Sequence, residues 1–247
     1  MDPAQLPLAL ESPVLIRVDG RDLAVLFCTP LALDDLAVGH IVSRGLLPSR
    51  DSLRSIFICD DRSRVDIARS EASPLPPVAV QIIASACGDG GFPGEFYDLE
   101  PPSEPPERGK GLFSLSFLAD RAKEMFAAAS MHRKTGGMHC ASLAGSQDGQ
   151  PFIVREDVGR HNAVDKVIGR GFIEGVDFGG AAIVSSGRIA ADMVAKAIHA
   201  GIPLLASRSV PTTAAFELAR AFGIALVGRV TSKTPLIYCG ADLILSM

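Results

Sequence analysis

No apolar run in the 247 residues approaches the roughly 20 needed to span a bilayer. Residues 1–12 have neither the basic start nor the apolar core of a signal peptide. No Lys/Arg tract forms a polyanion-binding stripe, and the formal net charge of -4 gives no general affinity for nucleic acid. These absences point to a cytoplasmic protein with no membrane or nucleic-acid partner, in which any anion site is local. The five cysteines, Cys28, Cys59, Cys87, Cys140 and Cys239, are odd in number and lack disulfide-framework or zinc-finger spacing, so most are expected to be buried, reduced thiols. Neither G-x-x-x-x-G-K-[ST] nor G-x-G-x-x-G occurs, which removes the usual support for phosphoryl transfer or dinucleotide hydride chemistry.

What is present is ample material for a core, with 47% hydrophobic residues. Residues 14–18 and 23–27 flank Asp19-Gly20, a pair that favours a tight hairpin turn. Asp34-Asp35 opens a predicted helix running to Val42, and residues 53–60, 64–68 and 78–84 read as further strands, giving an α+β layer. Residues 92–111 are rich in Pro, Glu and Gly, as expected of a mobile loop or hinge. The division that follows is an N-terminal α+β part (1–91), this loop (92–111) and an α/β part (112–247). In the last, residues 117–131 have helical spacing, with Phe117, Ala119, Met125, Phe126 and Ala129 predicted inward. Strands over 181–184, 203–206 and 224–227 alternate with helices over 189–200, where Met193, Val194, Ala197 and Ile198 face in, and 212–222. That repetition predicts a largely parallel sheet covered by helices, whose strand-end loops line a ligand crevice.

Five segments carry chemistry. In residues 155–169, a short buried strand at 152–154 meets a helix whose apolar face is Ala163, Val164, Val167 and Ile168. Gly159 to Asn162 then forms a strand-to-helix junction, where unpaired N–H groups and the helix dipole, with Arg160 and His161, suit an anion or phosphate. An ordinary capped helix with solvated charges is the alternative. Ser185-Ser186-Gly187-Arg188 and Ser207-Arg208-Ser209-Val210-Pro211-Thr212 each supply hydroxyls, a guanidinium fork and a helix start, again suited to phosphate. Thr135-Gly136-Gly137-Met138-His139-Cys140 permits close backbone approach beside a histidine able to move a proton, whereas Cys140 reads as a small buried residue. A metal set of His139, His161 and Cys140 ranks low, since nothing in the spacing brings them together. Finally, Cys87 lies among Gly88, Gly90 and Gly91, where a thiol could be accessible to a donor and an acceptor, or simply end a strand.

Together these segments resemble the formate dehydrogenase accessory sulfurtransferase family. The likeness runs through the hairpin, Leu36-Ala37-Val38-Gly39, the Cys87 loop, Thr135-Gly136-Gly137-Met138-His139, Glu156-Asp157-Val158-Gly159-Arg160-His161-Asn162-Ala163-Val164-Asp165-Lys166, Ser186-Gly187-Arg188 and residues 207–212, and on to Tyr238. The resemblance implies a cytidine-deaminase-like α/β sheet covered by helices, with a smaller N-terminal α+β part, in a homodimer. It also implies a sulfur carrier that takes persulfide sulfur from a cysteine desulfurase and passes it to the bis(molybdopterin guanine dinucleotide) cofactor for formate dehydrogenase. A cofactor-binding or guanine-nucleotide chaperone without sulfur transfer is the alternative. Cys87 matches the first cysteine of the family's C-G-x-C loop and is the expected persulfide carrier. Gly90 stands in place of the second, so release through an internal disulfide is closed and the acceptor or an external reductant must take the sulfur. Arg44 stands where the family's early helix has Glu. Arg229, Val230, Thr231, Ser232, Lys233 and Thr234 match the family's cofactor-binding loop in position, and Thr135, Gly136, His139, Arg160, His161, Asn162, Asp165, Arg188, Arg208 and Ser209 complete the expected ligand set. A zinc deaminase is a poor fit and no zinc is expected, since the sequence lacks both H-x-E and P-C-x-x-C.

Overall fold

Asp19 and Gly20 both adopt left-handed backbone, with φ of 49° and 79°, and so turn strand β1 (Ser12–Val18) back along β2 (Arg21–Cys28) as an antiparallel hairpin. The computed structural model describes residues 7–70, 75, 81–84, 99–100, 102–103, 110–146 and 151–245. The hairpin is the centre of a five-stranded sheet ordered β3-β4-β1-β2-β5, completed by β3 (Leu53–Ile58), β4 (Arg64–Arg69) and the short β5 (Gln81–Ile83). Helix α1 (Leu33–Val42) follows the hairpin and is buried along almost its whole length.

The second sheet has six strands in the order β11-β10-β9-β8-β6-β7. These are β6 (His139–Gly145), β7 (Phe152–Asp157), β8 (Ala181–Ser185), β9 (Leu204–Ser207), β10 (Ala225–Gly228) and β11 (Leu236–Cys239). The expected parallel repeat is confined to β8, β9 and β10, joined through α5 (Ala191–Ala200) and α6 (Thr213–Phe222). Strands β6, β7 and β11 run antiparallel to their neighbours; the six residues before β7 and the seven before β11 are too few for the crossover that a parallel strand needs.

Alternation along the central strands builds two cores. Leu143, Ile183, Leu205 and Leu226 face α1, α4 (Arg160–Glu174), α5 and α6, in a core continuous with Val14, Ile16 and Leu26 of the first sheet. Cys140, Ala182, Val184, Leu204 and Val227 face the other way, onto α2 (Leu115–Ala128). Helix α2 turns Leu118, Ala122 and Met125 inward, and the predicted Phe117 and Ala119 are only half-buried. It also stops earlier than expected: Ala129 leaves the helical region, with φ −73° and ψ 83°, and a separate helix α3 (Ser130–Thr135) begins. The Glu156 carboxylate accepts hydrogen bonds from the Met131 and His132 N–H groups at 3.2 and 2.6 Å, which gives α3 its own start.

Between the sheets α1 crosses α4 with backbone against backbone. A Cβ on Gly39 would run into the Asp165 carbonyl, and one on Gly169 into the Asp35 carbonyl. Only glycine allows this approach, and it fixes the first sheet against the second. Among the described residues no helix is long and apolar enough to cross a membrane. Most of the 92–111 segment lies outside the described residues.

Candidate functional site

The register of the second sheet gathers the motif segments at one end. Strands β8, β9 and β10 finish there at Ser185, Ser207 and Gly228, and the antiparallel neighbours place His139 opposite Asp157 and Ala141 opposite Ser185. The loops after all three parallel strands, the start of α4 and the segment before β6 therefore share one edge, as expected where ligands bind α/β sheets.

Hydrogen bonds knit these loops together. Ser207 Oγ donates to the Gly187 carbonyl at 2.5 Å and accepts from Ser209 N at 2.9 Å, while Arg208 N donates to the Ser185 carbonyl at 3.2 Å. Arg229, at φ 52°, donates its N–H to the Ser209 carbonyl at 2.8 Å, and Val230 N donates to the Ser207 carbonyl at 2.9 Å. Val230 is fully buried, whereas Arg229, Thr231, Ser232, Lys233 and Thr234 are exposed. The Thr212 hydroxyl accepts from Ala215 N at 3.2 Å, so α6 caps its own start rather than leaving all its first N–H groups for a ligand.

His139 is half-buried with Nδ1 3.2 Å from Ser186 Oγ, which also accepts from Cys140 N at 3.0 Å. Burial, with His132 and His161 nearby, lowers the His139 pKa and favours the neutral ring. Gly187 leaves room for the Arg160 stem: a Cβ there would stand 2.9 Å from Arg160 Cδ and 3.5 Å from His139 Cε1. Arg160 is buried, with Arg188 and Asp192 close enough to bear on its charge, whereas Arg188 and Arg208 are exposed. The Arg208 guanidinium lies 5.5 Å from the centre of the Phe126 ring, an arrangement that holds its plane by cation–π attraction. Thr135 Oγ1 donates to the Met131 carbonyl at 2.9 Å and accepts from Gly137 N at 3.2 Å, shaping an exposed turn in which Gly136 takes φ 68°.

Other residues of the 156–166 segment turn inward. Asp157, fully buried, takes four donors: Thr29 N at 3.0 Å and Lys166 Nζ at 2.6 Å on Oδ2, Gly159 N at 2.9 Å and Asn162 Nδ2 at 3.0 Å on Oδ1. Asn162 also donates to the Phe27 carbonyl at 2.8 Å. Asp165 is buried against Lys196 Nζ at 2.6 Å, Ser43 Oγ at 2.8 Å and His40 Nδ1 at 3.5 Å. Burial pushes its carboxyl up, but Lys196 and His40 outweigh that and hold it below the usual carboxylate range. Asn162 and Asp165 thus spend these polar groups on the scaffold, although the sequence presents them beside Arg160 and His161. Sequence reasoning also missed Asp192, whose Oδ2 lies 2.8 Å from His161 Nε2; its one signal was a carboxylate in the first turn of the helix after Arg188.

The cysteines divide by burial. Cys28 and Cys140 are buried, with burial pushing their thiols up to about 12 and about 11, and Cys59 and Cys239 are half-buried, all four as free thiols. Cys87, Gly88, Gly90 and Gly91 lie outside the described residues, a short way along the chain from β5. Among the described residues no three His, Cys, Asp or Glu side chains are gathered to hold a metal ion.

The model of the FdhD/NarQ family matches residues 9–245. A relative from Nocardia farcinica (strain IFM 10152), named "Sulfur carrier protein FdhD", is 34% identical over 243 residues, covering 95% of this chain and 86% of its own length. One from Methanothermobacter thermautotrophicus, with the same name, is 36% identical over 226 residues, covering 91% of this chain and 86% of its own. In structure the chain is similar to a putative formate dehydrogenase accessory protein from Desulfotalea psychrophila, with a TM-score of 0.76 at 22% identity, over 96% of this chain and 90% of that one.

Proposed function

The chain belongs to the FdhD/NarQ family, and from that premise we propose that Cys87 carries sulfane sulfur, as a persulfide, to a bis(molybdopterin guanine dinucleotide) cofactor held at the crevice edge. The protein is a sulfur carrier that serves formate dehydrogenase. The observation that supports the ligand is the convergence of Arg160, Arg188, Arg208, Arg229 and Lys233 with His139 on one sheet edge of a protein whose net charge is negative. Guanidinium forks suit the diphosphate of such a ligand, and the hydroxyls of Thr135, Ser209, Thr231, Ser232 and Thr234 lie on the same loops. His161 faces the ligand beside Arg160. Asn162, Asp165 and Val230 act behind this surface by holding its loops in place.

In the loading step the Cys87 thiolate attacks the terminal sulfur of a donor persulfide. A new S–S bond forms on Cys87 and the donor cysteine leaves as a thiolate. A cysteine desulfurase fits as the donor. With Gly90 in place of a second thiol, a nucleophile of the acceptor or an external thiol attacks the outer sulfur, the S–S bond breaks and Cys87 leaves as its thiolate, with no internal disulfide formed. A homodimer in the cytoplasm is the working form implied by the family resemblance.

Mass spectrometry tests the carrier. After incubation with a desulfurase and free cysteine, the Cys87 peptide is expected to gain the mass of one sulfur atom and to lose it on reduction. Loading on another cysteine, or none, refutes the assignment. Cys87→Ala is expected to keep guanosine diphosphate binding while losing support for formate dehydrogenase; retention of that support would favour a chaperone without sulfur transfer.

A further inference from the structure

Helices α4 and α5 are tied by two ion pairs that start one helical turn apart on each helix. The inner rung joins Asp165 to Lys196 and is buried, with both side chains 2% exposed. The outer rung joins His161 to Asp192, with exposures of 22% and 16%, at the crevice end of both helices. Because residues i and i+4 lie on one helix face, fixing the inner rung also sets the outer one.

Asp192 is held from several sides. Its Oδ1 accepts from Met193 N at 2.9 Å, and Oδ2 lies 2.8 Å from His161 Nε2. It lies in the first turn of α5, where the helix dipole favours negative charge. Burial raises its pKa, but His161 and Lys196 outweigh that and keep the carboxylate ionised. The close approach of Nε2 to this carboxylate holds the His161 ring at the crevice end of α4, one position from Arg160.

We propose that Asp192 is a positioning residue: the close approach of its carboxylate to Nε2 holds the His161 ring at the crevice, where the ring serves a phosphate of the nucleotide-bearing ligand beside Arg160. This rests on the reading of the crevice as a nucleotide-phosphate site. Asp192 acts through His161 and does not itself touch the ligand, which its negative charge would repel.

The test uses the full chain, labelled with 15N-histidine, and guanosine diphosphate as the probe. The His161 signals are identified by their loss in His161→Gln. Addition of the nucleotide is expected to shift them in the wild type but not in Asp192→Asn, which keeps an acceptor for Met193 N. Each variant is expected to bind the nucleotide about tenfold more weakly, and the double variant no worse than either. Asp192→Glu should restore part of the affinity. Wild-type affinity and wild-type signal shifts in Asp192→Asn would overturn the proposal. Should that variant not fold, wild-type affinity in His161→Gln would overturn it equally. A wild type that binds no guanosine diphosphate would remove the crevice reading itself, a result separate from either of these.

Discussion

Lys196→Met removes the ammonium of the inner α4–α5 rung while leaving a side chain of similar length. Asp165 then remains as a buried carboxylate, with Ser43 Oγ at 2.8 Å and His40 Nδ1 at 3.5 Å as its named neighbours. Both members of the pair are 2% exposed, so solvent cannot make up the lost charge. Breaking a buried pair by removing one partner costs about 3–5 kcal/mol. In a domain of this size each kcal/mol lowers Tm by about 2–4 °C, so the melting temperature should fall by roughly 6–20 °C. Denaturant titration by linear extrapolation gives the free energy directly. Asp165→Leu combined with Lys196→Met removes both charges and should recover most of the loss, since a buried pair often contributes little over apolar residues of similar volume. A single-variant cost under about 1 kcal/mol, the scale of an exposed ion pair, would refute the claim that this rung is a buried structural tie. So would a double variant as unstable as the single ones.

Two further outcomes are expected. Gly187→Ala places a methyl 2.9 Å from Arg160 Cδ, and because Gly187 does not use positive φ the backbone tolerates the change. Guanosine diphosphate affinity measured by calorimetry should fall about tenfold while stability changes by less than about 1 kcal/mol, and unchanged affinity would disprove the role given to Arg160. Stability should also fall on mild acidification, because burial lowers the His40 pKa to about 4. The unfolded chain, with an ordinary histidine pKa of about 6.5, binds that proton first. The contribution is therefore complete above about pH 6.5 and is lost as pH falls toward 4, by about 3 kcal/mol in all. Denaturation at a series of pH values should show this slope in the wild type and a flatter one in His40→Asn; equal slopes would exclude His40 as the cause.

The sequence exposed those features whose cause is local. The Asp19-Gly20 hairpin and the β8-α5-β9-α6-β10 run each follow from neighbouring residues, and both are present. The same local logic brings the Ser186, Ser209 and Arg229 loops to one sheet edge. Long-range partners were not legible. Asn162 reaches back to Phe27, Asp157 to Thr29 and Asp165 to Ser43, each across more than a hundred positions. On a helical projection Asn162, Asp165 and Lys166 read as the polar, solvent-facing side of α4, yet all three are buried. The Phe117 register of α2 failed similarly: its ring lies half-buried beneath the Arg121 guanidinium, 5.5 Å away, while Leu118 takes the core position.

The 156–166 segment therefore has two physical roles interleaved along one strand end and one helix. Glu156 fixes the start of α3, and with it the Thr135-Gly136-Gly137 turn on one side of the crevice. Asp157, Asn162 and Lys166 bind the end of β2 to the start of α4, and Lys166 Nζ adds bonds to the Thr29 carbonyl at 2.9 Å and the Glu156 carbonyl at 3.3 Å. Asp165 locks α4 to α5. Arg160 and His161 stand on this frame at the crevice. Since Asp157 satisfies four donors at once, even the isosteric Asp157→Asn must turn an amide NH2 toward some of them, and it would abolish activity by disordering the frame. Loss of activity alone cannot then identify a ligand contact in this segment. The discriminating measurement is affinity at preserved stability, which on this geometry separates Arg160 and His161 from Asp157, Asn162, Asp165 and Lys166.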